Sequence, residues 1–158
     1  MLSIRRKQFL SGIVLLLALM WSALVLAEGE HEDPTADWMP SDVDFSKAES
    51  MVIVFDDYSY EPDEVMLNVD KPYKIVFDNV GGLPHDFVHA AFFHAVVFQR
   101  IVTESGTINT PHVHSLYLRS GEKMILYLVP KKLGAYDVFC SINDHQELGM
   151  EGVFTITH

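Results

Sequence analysis

Cysteine is nearly absent from this chain of 158 residues, in which Cys140 is the only one. A single cysteine cannot form a disulfide within the chain, so the fold must be stable without one. Cys140 is therefore a small buried residue, a free thiol or a metal ligand. The residues around it must decide between these three roles.

Basic residues are also few. The chain has 11 lysines and arginines against 22 aspartates and glutamates, which gives a formal net charge of -11 at pH 7. A surface of this sign repels the phosphates of nucleic acids, so we expect no nucleic-acid binding. It favours a basic protein partner by speeding encounter, although solubility alone explains the charge equally well.

Common catalytic motifs are missing as well. The sequence contains no phosphate-binding glycine loop, no His-Glu-x-x-His zinc motif and no recognisable nucleophile triad. We therefore predict that the chain is not an enzyme and has no small-molecule substrate.

Residues 1–27 have the organisation of an export signal. Arg5, Arg6 and Lys7 precede an apolar run at residues 9–26, and Ala27 provides a small residue for cleavage. The run is near the lower limit of about 17–25 residues that span a bilayer, so a single-span membrane anchor is the alternative. Both interpretations predict that the rest of the chain lies in the periplasm or on the extracytoplasmic face of the membrane.

The remaining chain divides into a tether and a folded domain. Residues 28–48 are acidic and contain few hydrophobic residues, which predicts a flexible tether. Residues 49–158 contain short runs of β-branched and aromatic residues between proline and glycine turns, and residues 87–103 favour a short helical turn followed by a strand. We predict an all-β sandwich of seven or eight strands with one helical insertion. The predicted strands outside 87–103 are residues 51–55, 64–69, 73–79, 114–118, 123–129, 135–140 and 152–157.

Three potential metal ligands share one segment near the C-terminus. Cys140, His145 and Met150 follow one predicted strand and precede the next, at Cys-x4-His-x4-Met spacing. Thiolate and thioether sulfur are soft ligands that select copper, and a type 1 (blue) copper site combines two imidazoles, one thiolate and a weak axial methionine. Asn143 and Gly149 tolerate the positive φ that a loop folding back over a metal requires.

The second imidazole must come from elsewhere in the chain. His85 follows a predicted strand and a Gly-Gly-x-Pro turn, which places it at the end of the sandwich that Cys140 also reaches. His89, four residues later, is its rival for the same role. His112 and His114 lie on one face of a predicted strand and are candidates for a second metal, with ordinary surface histidines as the alternative.

Residues 79–87 and 134–154 closely resemble the cupredoxin family of plastocyanin, azurin and rusticyanin. The spacing of the ligand loop is most similar to that of rusticyanin, and the resemblance extends over residues 51–157. It implies an eight-stranded Greek-key sandwich and electron transfer. It also implies that His85, Cys140 and His145 bind copper in a plane, with Met150 as the axial ligand.

The same resemblance implies two further features. Asp86 and Ser141, the residues after the first histidine and after the cysteine, should hydrogen-bond and pin the two ligand segments together. Asp86 stands where plastocyanin and azurin usually have asparagine, and a carboxylate near the metal would lower the reduction potential. Apart from the resemblance, we expect a patch of exposed residues around the edge of His145, where a redox partner would dock. It comprises Leu83, Phe87, Phe92, Leu148 and Met150.

These expectations describe an exported mononuclear type 1 copper protein that carries single electrons between redox partners by cycling between Cu(I) and Cu(II). A c-type cytochrome or a terminal oxidase is the expected kind of partner. The alternative is a periplasmic protein that delivers or stores copper through the same soft ligands. A dinuclear copper centre needs a second cysteine, and position 144 is Asp144, so this class is excluded.

Overall fold

The computed structural model describes residues 43–110 and 113–158. The predicted signal or anchor at residues 1–27 and most of the predicted tether lie outside these ranges. Within them, no helix is long and apolar enough to cross a membrane.

The last residues of the predicted tether carry local structure. A 3-10 turn covers Phe45–Lys47, and Asp44 caps it by accepting a hydrogen bond from Ser46 N at 3.0 Å. The Phe45 ring packs edge-on against Tyr127, with 6.0 Å between ring centroids. This segment therefore contacts the sandwich just before the first strand begins.

Two β-sheets enclose the hydrophobic core. The strands are β1 (Glu49–Asp56), β2 (Ser59–Glu61), β3 (Glu64–Asn68), β4 (Tyr73–Asn79), β5 (His85–Val88), β6 (Val96–Thr103), β7 (Gly106–Ile108), β8 (Ser115–Leu118), β9 (Lys123–Pro130), β10 (Gly134–Phe139) and β11 (Glu151–Thr157), and α1 (Ala90–Phe93) is a single helical turn. One sheet has the order β2-β1-β4-β9-β6-β7 and the other β3-β11-β10-β5-β8. Neighbouring strands are antiparallel except for β1 with β4 and β3 with β11, which are parallel.

Buried residues alternate with more exposed ones along the strands, which shows the face of each strand that points into the core. In β4 every second residue from Tyr73 to Asn79 is buried, because successive side chains of a strand point to opposite faces. In β5 the same rule sends His85 and Phe87 to one face, and both are fully buried. Phe87 connects the sheets, since its ring centroid lies 5.2 Å from that of Phe77 and 5.1 Å from that of Phe154. The aromatic core therefore continues directly into the position of His85.

The predicted β-sandwich is confirmed, and the structure divides it into eleven strands within the described residues. Residues 56–63 lie outside every predicted strand, but Ser59–Glu61 pairs with β1 as β2. Phe87 and Val88 were assigned to a helical turn, but they belong to β5, and α1 starts only at Ala90. Segments of three or four residues are too short to show a period, which is why the sequence did not separate them.

Candidate metal centre

Three of the four predicted ligands converge at one end of the sandwich. His85 begins β5, Cys140 directly follows β10, and His145 lies in the loop after Cys140. Their ligand atoms all lie within 4.8 Å of one another. Cys140 Sγ is 4.0 Å from His85 Nδ1 and 3.4 Å from His145 Nδ1. No other group of three or more histidine, cysteine or carboxylate side chains in residues 43–110 and 113–158 is close enough to hold a metal.

The cluster is shielded from water. His85, Cys140 and His145 are 0%, 1% and 3% exposed. Burial lowers the pKa of His85, and the nearby Asp57 carboxylate partly opposes that shift. Burial also raises the pKa of the Cys140 thiol. The cluster therefore favours a neutral imidazole and a thiol, and a metal that binds there must displace the thiol proton.

The chemistry of these donors fits copper. The cluster offers one sulfur and two imidazole nitrogens and includes no carboxylate. Such a set suits copper or zinc rather than magnesium or calcium, which prefer oxygen ligands. The thioether of Met150, whose backbone bonds to His145 and Cys140, favours copper, because thioether sulfur is a soft ligand.

Met150 is tied to the cluster through the backbone. Its amide donates to His145 O at 3.0 Å, and its carbonyl accepts from Cys140 N at 3.0 Å. The side chain is fully buried. The loop from Cys140 to Met150 is thus closed at its base by hydrogen bonds between the residues predicted to bind metal.

The turns of this loop follow the sequence expectation. Asn143 has φ 50° and Gly149 has φ 108°, both in the left-handed region. Between them, Leu148 N donates to Asp144 O at 3.0 Å and continues the tight turn. Asn143 and Gly149 are residue types that accept such backbone angles, so the loop folds back over the cluster.

The expected Asp86–Ser141 brace is present. Ser141 N donates to Asp86 Oδ1 and Ser141 Oγ donates to Asp86 Oδ2, each at 2.6 Å. Asp86 N in turn lies 3.5 Å from Cys140 Sγ and donates to it. These bonds join the His85 segment to the Cys140 segment at the ligands themselves.

Tyr60, which the sequence did not single out, stabilises the Asp86–Ser141 brace from the core side. Its hydroxyl donates to Asp86 O at 2.5 Å from within the core. Burial raises the pKa of Tyr60, and the charges of Cys140 and Asp86 add to the rise, so the phenol stays neutral and keeps its proton for this bond.

Asn79 organises the turn that precedes His85. Its Nδ2 donates to Leu83 O at 2.9 Å and to Leu118 O at 3.2 Å, and its Oδ1 accepts from Gly81 N at 3.0 Å. Asn79 is fully buried. It fixes the Gly-Gly-x-Pro turn and thereby the start of β5.

The sequence profile described as copper binding proteins, plastocyanin/azurin family, matches residues 37–157, which is most of the chain. The chain belongs to this family. The cupredoxin fold expected from the resemblance is thereby confirmed, and the arrangement of His85, Cys140, His145 and Met150 is consistent with one type 1 copper site. A comparison with curated proteins gives no significant match.

Solved structures share the fold of this cupredoxin at low identity. A multi-copper oxidase from Pseudomonas thermotolerans aligns with a TM-score of 0.57 and 20% identity, over 72% of this chain and 31% of that one. Copper nitrite reductase from Nitrosomonas europaea aligns with a TM-score of 0.55 and 14% identity, over 78% and 52%. These two likenesses show the fold alone, and this chain spans about half or less of both proteins. Reduced auracyanin from Roseiflexus castenholzii aligns over 70% of this chain and 98% of that one, with 16% identity and a TM-score of 0.49.

The other histidines that the structure describes lie outside the cluster of this cupredoxin. His89, the rival of His85, caps α1 by accepting a hydrogen bond from Phe92 N on its Nδ1 at 3.1 Å. His114 is exposed, and its ring centroid is 6.0 Å from that of His94. His112 lies outside the described residues, so a second metal at His112 and His114 stays a prediction.

The patch expected around His145 differs from the prediction. His145 is nearly buried, and the Tyr58 ring packs edge-on against it with 5.1 Å between centroids. Leu83 and Leu148 are exposed as expected. The other predicted members belong to the core, and these are Phe87, Phe92 and Met150.

Besides Tyr60, Asp57 and Tyr58 are residues of this site that the sequence did not reveal. They lie between β1 and β2, in a stretch outside every predicted strand, and far along the chain from both ligand segments. No local pattern connects them to the ligands. Only the parallel pairing of β1 with β4, which brings that turn beside Gly81 and Leu83, places them there.

Proposed function

We propose that this protein is an exported type 1 copper protein that carries single electrons between redox partners. The observation that carries the proposal is the buried cluster of His85, Cys140 and His145, whose ligand atoms lie within 4.8 Å of one another. Buried Met150 would hold the copper as the fourth ligand. The family match supports copper as the metal.

Each residue has a distinct role in the proposal. His85 and His145 bind through Nδ1, the nitrogen of each ring that faces Cys140 Sγ. Cys140 binds as the thiolate, which the Asp86 amide stabilises through its hydrogen bond to sulfur. Bound copper supplies the exchange of one electron between Cu(I) and Cu(II).

The brace around the cluster suits this role. Electron transfer is fast when the ligands move little between the two oxidation states. The two bonds from Ser141 to Asp86 and the bond from Tyr60 to Asp86 hold the ligand segments in one arrangement.

The surface near the ligands suits a protein partner with apolar and basic groups. Tyr58, Leu83 and Leu148 are 38%, 37% and 53% exposed beside the turns that carry the site. A surface groove of about 410 Å³ borders the ligand loop at Gln146 and is lined by Asp63, Glu64, Asp137 and Glu151. Because His145 is nearly buried, we propose that a partner contacts Tyr58 rather than the imidazole itself. A c-type cytochrome or a terminal oxidase of the periplasm is the proposed kind of partner.

Absorption and EPR spectra of the copper-loaded protein test the proposal. We expect intense visible absorption from Cys140-to-copper charge transfer, reversible one-electron bleaching by a reductant, and loss of the band in Cys140→Ser. His94→Ala is the matched control, because this exposed histidine lies outside the cluster and its loss should leave the spectrum unchanged. An identical copper spectrum in Cys140→Ser would refute the proposal. A colourless protein that readily releases Cu(I) would favour copper delivery or storage instead.

A further inference from the structure

One nitrogen of His85 faces the cluster, while the other is buried without a normal partner. Nδ1 faces Cys140 Sγ, and Nε2 makes no hydrogen bond of ordinary geometry within the described residues. An imidazole that binds a metal through Nδ1 carries its proton on Nε2. The copper-bound His85 is therefore a buried donor, and a buried donor without an acceptor is costly.

Asp57 is placed to accept a hydrogen bond from Nε2. Its Oδ1 lies 3.5 Å from His85 Nε2, slightly longer than a good hydrogen bond. The carboxylate is held over the His85 segment, because Leu83 N donates to the same oxygen at 3.3 Å. The backbone of Asp57 is held as well, because its amide donates to Asp56 Oδ1 at 2.8 Å.

The sequence leaves space for this carboxylate. A Cβ on Gly81 would lie 2.6 Å from Asp57 Oδ1, closer than side-chain carbons are found, and 3.1 Å from Asp57 N, which is an unusually tight contact. Gly81 is buried and the Asp57 side chain is 44% exposed, so a Cβ at Gly81 would displace the carboxylate into solvent. The Gly-Gly turn before His85 thus admits the Asp57 side chain beside the buried imidazole.

We propose that Asp57 is a positioning residue for the copper site, which accepts a hydrogen bond from His85 Nε2 and forms a carboxylate–histidine–copper arrangement. The bond fixes the tautomer and the orientation of the ring. The negative charge stabilises Cu(II) relative to Cu(I) and lowers the reduction potential. This inference rests on the proposed copper site and extends it to a residue that binds no metal.

Three variants of the full-length, copper-loaded protein separate the bond from the charge. Asp57→Ala removes both, and Asp57→Asn removes the charge but keeps an acceptor oxygen. Asp56→Asn is the matched control, since it removes one charge from the adjacent position while its amide oxygen still accepts from Asp57 N. Loss of a partner behind a ligand typically weakens metal binding by about 10–100-fold.

Two measurements report on the proposal. Proton–nitrogen NMR of the Cu(I) form should show a slowly exchanging Nε2 proton on His85 in the wild type, the control and Asp57→Asn, and a rapidly exchanging one in Asp57→Ala. Voltammetry should show a higher potential in both Asp57 variants than in the control. If Cu(II) binding alone weakens tenfold, the shift for a one-electron couple is about 59 mV.

The outcomes distinguish this inference from the copper proposal. If Asp57→Ala keeps the wild-type Nε2 signal and moves the potential no more than Asp56→Asn, Asp57 has no positioning role. If Asp57→Ala fails to fold, a potential in Asp57→Asn equal to that of the control overturns the inference, and a higher one supports it. Failure of the copper proposal would appear earlier, as a wild-type protein without a type 1 spectrum.

Discussion

Asp86 links the two segments that carry the ligands, through both its side chain and its backbone. Both of its oxygens accept from Ser141, its amide donates to Cys140 Sγ, and its carbonyl accepts from Tyr60. Asp86 is buried, so its partners cannot exchange these bonds for water without exposing the site. The residue therefore contributes to the stability of the domain as well as to the geometry of the ligands.

We predict that Asp86→Ala lowers the free energy of unfolding of the copper-free protein by about 1.5–3 kcal/mol, the usual size for a hydrogen bond to a charged group. Denaturant titration of the copper-free form measures this without a contribution from the metal. Asp137→Ala, at an exposed position of β10, should change stability by no more than about 0.5 kcal/mol. Equal stability of the two variants would show that the brace is not a stabilising contact.

The site residues whose roles could be predicted from the sequence lie close to one another along the chain. Cys140, His145 and Met150 share one loop, and Asp86 follows His85 directly, so their roles could be inferred from chain order and resemblance. Asp57 lies over the turn before His85 only because β1 pairs with β4 in the folded sheet. Contacts of that kind depend on tertiary structure and leave no local pattern in the sequence.

At the scale of elements, the loop between β10 and β11 depends on its backbone angles. Gly149 has φ 108°, and a Cβ there would meet nothing closer than Tyr58 O at 3.9 Å. The space around Gly149 is therefore sufficient, and the angle itself is the constraint. Only glycine adopts it without strain.

We predict that Gly149→Ala destabilises the domain by about 1–3 kcal/mol through backbone strain and lowers its melting temperature. The variant should also lose copper more readily to a chelator, because Gly149 directly precedes Met150. Glu147→Ala, an exposed change in the same loop, is the control and should melt and retain copper as the wild type does. A Gly149→Ala protein that matches this control would show that the loop relaxes to an ordinary angle at no cost.

The elements that the sequence predicted are those in which hydrophobic residues recur with a clear period. The alternating burial of β3 and β4 repeats over five and seven residues, and both were predicted. The three-residue strands β2 and β7 exist through pairing with β1 and β6, and their own sequences contain no such repeat. Helix α1 was expected, but its start was placed too early because Phe87 fits both a helical stripe and a buried strand.

At the scale of the whole molecule, the sandwich brings its donors together at the ends of neighbouring strands. β5 and β10 pair at Val88 and Phe139, which carries His85 and Cys140 to the same end of one sheet. The buried aromatic rings behind them fix the distance between the sheets. The chain therefore assembles the donors as a consequence of folding, and the loop adds the remaining ligands to a site that is already half formed.

The net charge of -11 should affect the rate at which the protein associates with its redox partners. We predict that the second-order rate of electron transfer from a basic c-type cytochrome falls as ionic strength rises, because salt shortens the Debye length to about 8 Å at physiological strength and screens the attraction. Stopped-flow absorbance of the copper band measures the rate. Glu64→Gln, in the acidic groove beside the ligand loop, should reduce both the rate at low salt and its salt dependence. An acidic cytochrome should show the opposite trend, with a rate that rises with salt. If both cytochromes respond to salt in the same way, the charge serves solubility and does not select the partner.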